Sequence, residues 1–132
     1  LRPIKEVAMG LDIHAESKTG KVVSFRAGSC SGYNHWRNML AGLVGKTDGE
    51  IWHECGANKD FKCPFVEIIN FSDCEGTIDS ETSKKLHADF LEYQEKANQL
   101  YKDNLGEYFV SVYNSFRDAF ELASDGGHVR FC

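Results

Sequence analysis

Leu11, Ile13 and Ala15 alternate with Asp12 and His14, and a second apolar run, Val22 to Phe25, follows the turn signal Lys18-Thr19-Gly20. Period-two patterning on both sides of a glycine turn predicts a β-hairpin. The small residues Ala27-Gly28-Ser29-Cys30-Ser31-Gly32 then lead into Trp36, Met39, Leu40, Leu43 and Val44. Apolar positions recurring at three and four predict a helix of about a dozen residues, with Ser31 or Asn34 as its cap. Gly45 to Asp60 is rich in Gly, Asp, Asn and Lys. It reads as a long loop with a short edge strand at Ile51-Trp52-His53. Pro64 opens a predicted central strand in which Phe65, Glu67, Ile69 and Phe71 face one way and Val66, Ile68 and Asn70 the other.

Beyond an acidic loop, Asp79 or Ser80 caps a predicted helix running to about Tyr101, with the stripe Leu86, Phe90, Tyr93, Ala97, Leu100. Gly106 breaks it. A further helix carries Phe109, Val112, Tyr113, Phe116, Phe120 and Ala123 and ends at Asp125-Gly126-Gly127. His128 to Cys132 turns Val129 and Phe131 inward as a last strand. The pattern adds up to one α+β domain: a small, mainly antiparallel sheet with about three helices packed largely on one face.

Composition sharpens this picture. At 132 residues the chain suits one domain, and 42% hydrophobic with 27% charged residues is a globular balance. Nine Phe, five Tyr and two Trp make the expected core aromatic. A net charge of -5 without a Lys/Arg run argues against broad binding to nucleic acid. Five cysteines, an odd count, argue against a secreted disulfide framework. No apolar run is long enough to span a membrane, so a cytoplasmic location is expected. Met9 reads as a natural start; residues 1–8 are then an upstream remnant and residues 9–132 the domain.

Four strings carry a resemblance: Met9-Gly10-Leu11-Asp12-Ile13, Gly28 to Arg37 (GSCSGYNHWR), Phe71 to Ile78 (FSDCEGTI) and Phe116-Arg117-Asp118-Ala119-Phe120. Through them the chain resembles, over nearly all of Met9 to Cys132, a group of small bacterial, prophage and phage proteins with no established activity. The resemblance implies a mobile-element setting and carries over no catalytic residue.

The candidate chemistry gathers in two segments. The Ser29–Arg37 helix start offers backbone N–H groups at Ser31, Gly32 and Tyr33, cations at His35 and Arg37, and stacking faces at Tyr33 or Trp36. The Asp73–Glu75 loop offers two carboxylates for ligand hydroxyls or amines. Glu67, on an otherwise apolar strand face, needs a partner, with Arg37 and Arg117 as candidates; the functional alternative makes it the polar floor of a pocket, with Glu67 and Arg117 among the ligand-binding candidates. His53, Cys55, Cys63 and Cys74 lack the paired spacing of a zinc site, and no cofactor is implied. The leading expectation is a non-enzymatic mobile-element accessory protein binding a small anionic, nucleotide-like ligand between the two segments. The alternatives are an acidic protein–protein inhibitor of a host nuclease or defence complex and, behind it, a metal-dependent hydrolase using Asp73 and Glu75. The aromatic surplus also leaves room for a homodimer face.

Overall fold

A computed structural model describes residues 10–58, 60–71, 76–100 and 106–132, without the side chains of Gly10, Cys30, Ser31 and Gly106. Strand β1, Gly10–Glu16, and strand β2, Val22–Ser29, form the predicted hairpin, pairing Ile13 with Phe25 and Glu16 with Val22. The Ser17 N–H donates to Lys21 O at 2.8 Å across the turn, and Gly20 takes the positive φ of 93° that the turn requires.

Helix α1, Cys30–Gly42, follows directly. Its cap is Ser29, whose hydroxyl accepts from the Gly32 N–H at 3.0 Å, rather than Ser31 or Asn34. Asn34 sits within the helix, past its first turn, where its side chain accepts from Arg37.

The next segment departs from the predicted loop and edge strand. Asp48–Ala57 is helix α2, opened by a reciprocal capping box: the Glu50 N–H donates to Thr47 Oγ1, and the Thr47 N–H donates to Glu50 Oε1. The spacing Thr47-x-x-Glu50 is a helix-start signal that the flanking glycines, Gly45 and Gly49, obscure.

The predicted central strand is likewise a helical turn, α3, Val66–Ile69. Phe65 before it takes a left-handed conformation at φ 68°, uncommon for a bulky residue. Its N–H donates to Asp89 Oδ2 at 3.1 Å. At the far end, the Ile69 carbonyl accepts from both Arg37 Nη1 (3.1 Å) and Trp52 Nε1 (2.9 Å). Donors and acceptors from other helices therefore close both ends of a turn whose β-branched residues lean toward strand.

Strand β3, Gly76–Ile78, is short. Helix α4, Ser80–Glu92, starts on Asp79, whose carboxylate accepts from the Thr82 N–H at 2.9 Å. The single long helix predicted here is broken at Tyr93 into α4 and α5, Gln94–Leu100. Helix α6, Gly106–Ala123, ends at Gly126 with φ 82°, and β4, His128–Phe131, completes the chain.

All strand pairs are antiparallel, in the order β2-β1-β4-β3. The C-terminal strand is thus interior to the sheet, and the helices number six among the described residues rather than three. Leu11, Ile13, Ala15, Val129 and Phe131 are buried under α1 and α6. There Phe116 anchors an aromatic layer, with ring centroids 5.1 Å from Trp36, 5.9 Å from Phe131 and 5.0 Å from Phe25. The intervening residues Asp12, His14, Glu16 and Arg130 lie on the opposite face, which none of the described helices covers. Among the described residues no helix is long and apolar enough to cross a membrane.

Candidate functional site

The start of α1 is closed by the chain's own groups. Besides the Ser29 cap, the Tyr108 hydroxyl donates to Ala27 O at 3.0 Å and lies 3.1 Å from where a Cβ on Gly28 would stand. Tyr33 and Trp36 are fully buried. Trp36 donates its Nε1–H to Phe109 O at 3.2 Å, and the Tyr33 ring lies 6.2 Å from that of Phe131. Both are core residues, which corrects the stacking role expected of them. His35 is exposed on the outer side of the helix.

Arg37 is buried, at 3% exposure. Its guanidinium donates to Ile69 O, to Phe71 O (2.6 Å) and to Asn34, and lies 4.9 Å from the Tyr33 ring centroid. Two of its five N–H groups, both on Nη1, are thereby aimed at the carbonyl end of α3, and the buried Nε is without a hydrogen bond. No carboxylate among the described residues pairs with it. Arg37 links α1 to the segment preceding the acidic loop. Asp73 and Glu75 lie outside the described residues, as does the side chain of Ser31.

Glu67 finds a different partner from either arginine expected for it. Its Oε1 accepts from Lys85 Nζ at 2.7 Å, while Lys85 also donates to Asp89 Oδ2 (2.6 Å) and Cys63 O (3.0 Å). The reason is the helical turn, which aims Glu67 toward α4. Burial alone would lower the Lys85 ammonium, but its hydrogen bonds and charge contacts with Asp89 and Glu67 outweigh that and leave it raised. Arg117 is engaged elsewhere, with Gln94 (2.9 Å), Asn114 (3.2 Å) and Asp118 (3.0 Å).

Beside Glu67 is a cleft of about 550 Å³ reached by Cys55, Phe61 and Asn70. Burial pushes the Cys63 thiol up, with Lys85 pulling against it, and raises Cys55 with the help of Glu54. Both are therefore disposed to stay protonated, unlike activated nucleophiles. Among the described residues no group of three or more His, Cys, Asp or Glu is placed to hold a metal. Cys74, the fourth member of the zinc spacing considered, lies outside them.

The sheet face that no described helix covers carries a polar cluster that local sequence pattern does not assemble. The strand register aligns Ser24, His14, Arg130 and Thr77 in one row across β2, β1, β4 and β3. The next row aligns Val22, Glu16 and His128. His14 Nδ1 shares a 2.8 Å hydrogen bond with Ser24 Oγ, which fixes the ring. Arg26 is neutralised by Asp12 at 3.0 Å, the neighbouring cross-strand pair. The side chains of Arg130, His128 and Glu16 make no hydrogen bond or ion pair among the described residues. These rows border a cavity of about 430 Å³. Alternation along β1 put His14 outward in the sequence. The pairing that sets it beside Arg130 joins opposite ends of the chain.

No protein-family model, curated protein or solved structure matches this chain.

Proposed function

We propose that the protein is a non-enzymatic binding protein for a small anion, held on the open sheet face and not at the start of α1. The observation that carries this reading is Arg130. It is a guanidinium without a protein partner among the described residues, on an interior strand, beside an imidazole pinned by Ser24 and bordering a cavity. Sheet positions hold such groups at fixed spacing, so less ordering entropy is lost when a ligand binds. Phosphate or carboxylate matches the planar guanidinium fork.

Binding is favoured over catalysis by the chemistry nearby. The Ser24–His14 pair has no described carboxylate behind the imidazole and stands on a sheet face that no described helix covers, so it orients the ring instead of activating the hydroxyl. The mobile-element setting, that of a phage or prophage accessory protein, is part of the proposal and rests on the sequence resemblance. Imitation of nucleic-acid charge has less support. Opposite charges interleave, as where Lys18 and Lys21 face Asp118, Glu121 and Asp125 across a cleft of about 390 Å³.

Titration of the protein with inorganic sulfate and phosphate, followed by backbone amide NMR, tests the reading. The expected result is saturable shifts confined to β1 and β4, with affinity falling about tenfold in Arg130→Ala and unchanged in His35→Ala. Absence of saturable shifts, or shifts indifferent to Arg130→Ala, overturns it.

A further inference from the structure

The two rows of the open face differ in charge, and the difference specifies more about the occupant than that it is anionic. The first row presents His14 and Arg130; the second presents Glu16 and His128, with Val22, 59% exposed, at its β2 end. The rows are separated by one two-residue step along antiparallel strands, about 7 Å. All four polar residues share one face, because Ile13, Ala15, Val129 and Phe131 between them are buried. Glu16 and Arg130 stand on a cross-strand diagonal within reach of long side chains. No ion pair joins them among the described residues, so each retains its capacity for a ligand.

A simple anion uses only part of this arrangement. Arg130 attracts it and Glu16, one row away, repels it. A molecule that carries an anionic group at one end and a hydrogen-bond donor about 7 Å away satisfies both rows. Extending the anion-binding reading above, on which it rests, we infer that the site takes a phosphate monoester bearing an ammonium or hydroxyl group. The phosphate lies on Arg130 and His14, and the donor group on Glu16.

The matched pair n-butyl phosphate and 4-aminobutyl phosphate isolates this inference, since the two differ in the donor end alone. Titration calorimetry of the full chain is expected to show the amino compound binding about tenfold more tightly. In Glu16→Gln the two affinities converge to within about twofold, and n-butyl phosphate binds no more weakly than to the parent protein, because a repulsive charge has gone. Glu16 is exposed at a strand end, so the variant retains the fold. Equal binding of the two compounds to the parent protein, with Arg130→Ala still weakening both, overturns this inference and leaves anion binding standing. A difference that persists in Glu16→Gln also overturns it. Failure of both compounds to bind removes the sheet-face site altogether.

Discussion

The two faces of β1 and β4 are built from alternate residues of the same strands, yet they meet opposite demands. On the inner face Leu11, Ile13, Val129 and Phe131 are buried against an aromatic layer centred on Phe116. On the outer face His14, Glu16 and Arg130 meet solvent, with one hydrogen bond at His14. The inner face is over-determined, since each ring touches several others and removal of one leaves a hole that rigid neighbours fill incompletely. The outer face is under-determined, with polar groups held in register but short of partners. Stability and, on the anion-binding proposal, recognition are thus separated by a single residue step, and substitutions should divide accordingly.

The largest effect is expected on the inner side. Phe116→Ala removes a buried ring in contact with Trp36, Phe25 and Phe131, and should cost about 3–5 kcal/mol in urea unfolding. That is a large share of the roughly 5–15 kcal/mol available to a domain. A loss below about 1 kcal/mol would mean that the aromatic layer is not the mechanical centre described here.

Next is the junction that holds the α3 turn. Asp89 accepts from both the Phe65 N–H and Lys85. Asp89→Ala strands a backbone donor in a strained residue, and a destabilisation of about 2 kcal/mol is expected. Anion shifts on β1 and β4 should survive in the fraction still folded. Wild-type unfolding free energy in this variant would show that the left-handed Phe65 needs no tertiary anchor.

A smaller effect concerns acid. Hydrogen bonds from Thr82 hold the Asp79 carboxylate below the usual carboxylate range. Its cap therefore contributes stability that is present above the unfolded-chain pKa and is lost as pH falls through the lower folded value. Melting curves should show Asp79→Asn narrowing the gap between neutral and strongly acid conditions. An unchanged acid profile would exclude the cap as its source.

The smallest stability change belongs to the outer face. Arg130→Ala should alter unfolding free energy by no more than about 0.5 kcal/mol while weakening anion binding. A large loss of stability would place Arg130 in the structural class with Arg37 and dissolve the contrast between the faces.

The contrast also marks where the sequence was readable. The hairpin, α1, α4, α6 and β4 follow from patterning because each buries one face of one element, and a one-sided demand leaves a period in the chain. Helix α2 had a legible start in Thr47-x-x-Glu50 but little apolar stripe, with Ile51 its one buried residue. Helix α3 had no legible start. A short run of Val and Ile buried almost throughout has no period to read, and strand propensity points the wrong way. The candidate site divides in the same manner. Arg37 and Trp36 were conspicuous in the sequence because they are unusual residues in a small-residue context, and the fold uses both internally.

The chain's own pattern therefore determined an antiparallel hairpin, an aromatic helical layer and a returning C-terminal strand, since local period and turn chemistry suffice to specify one-sided elements. Tertiary structure alone decided that Phe65 turns left-handed, that Arg37 caps another helix, and that Arg130 stands beside His14. Each of these depends on a partner far away in sequence, and local propensities carry no information about which distant donor, acceptor or strand will arrive.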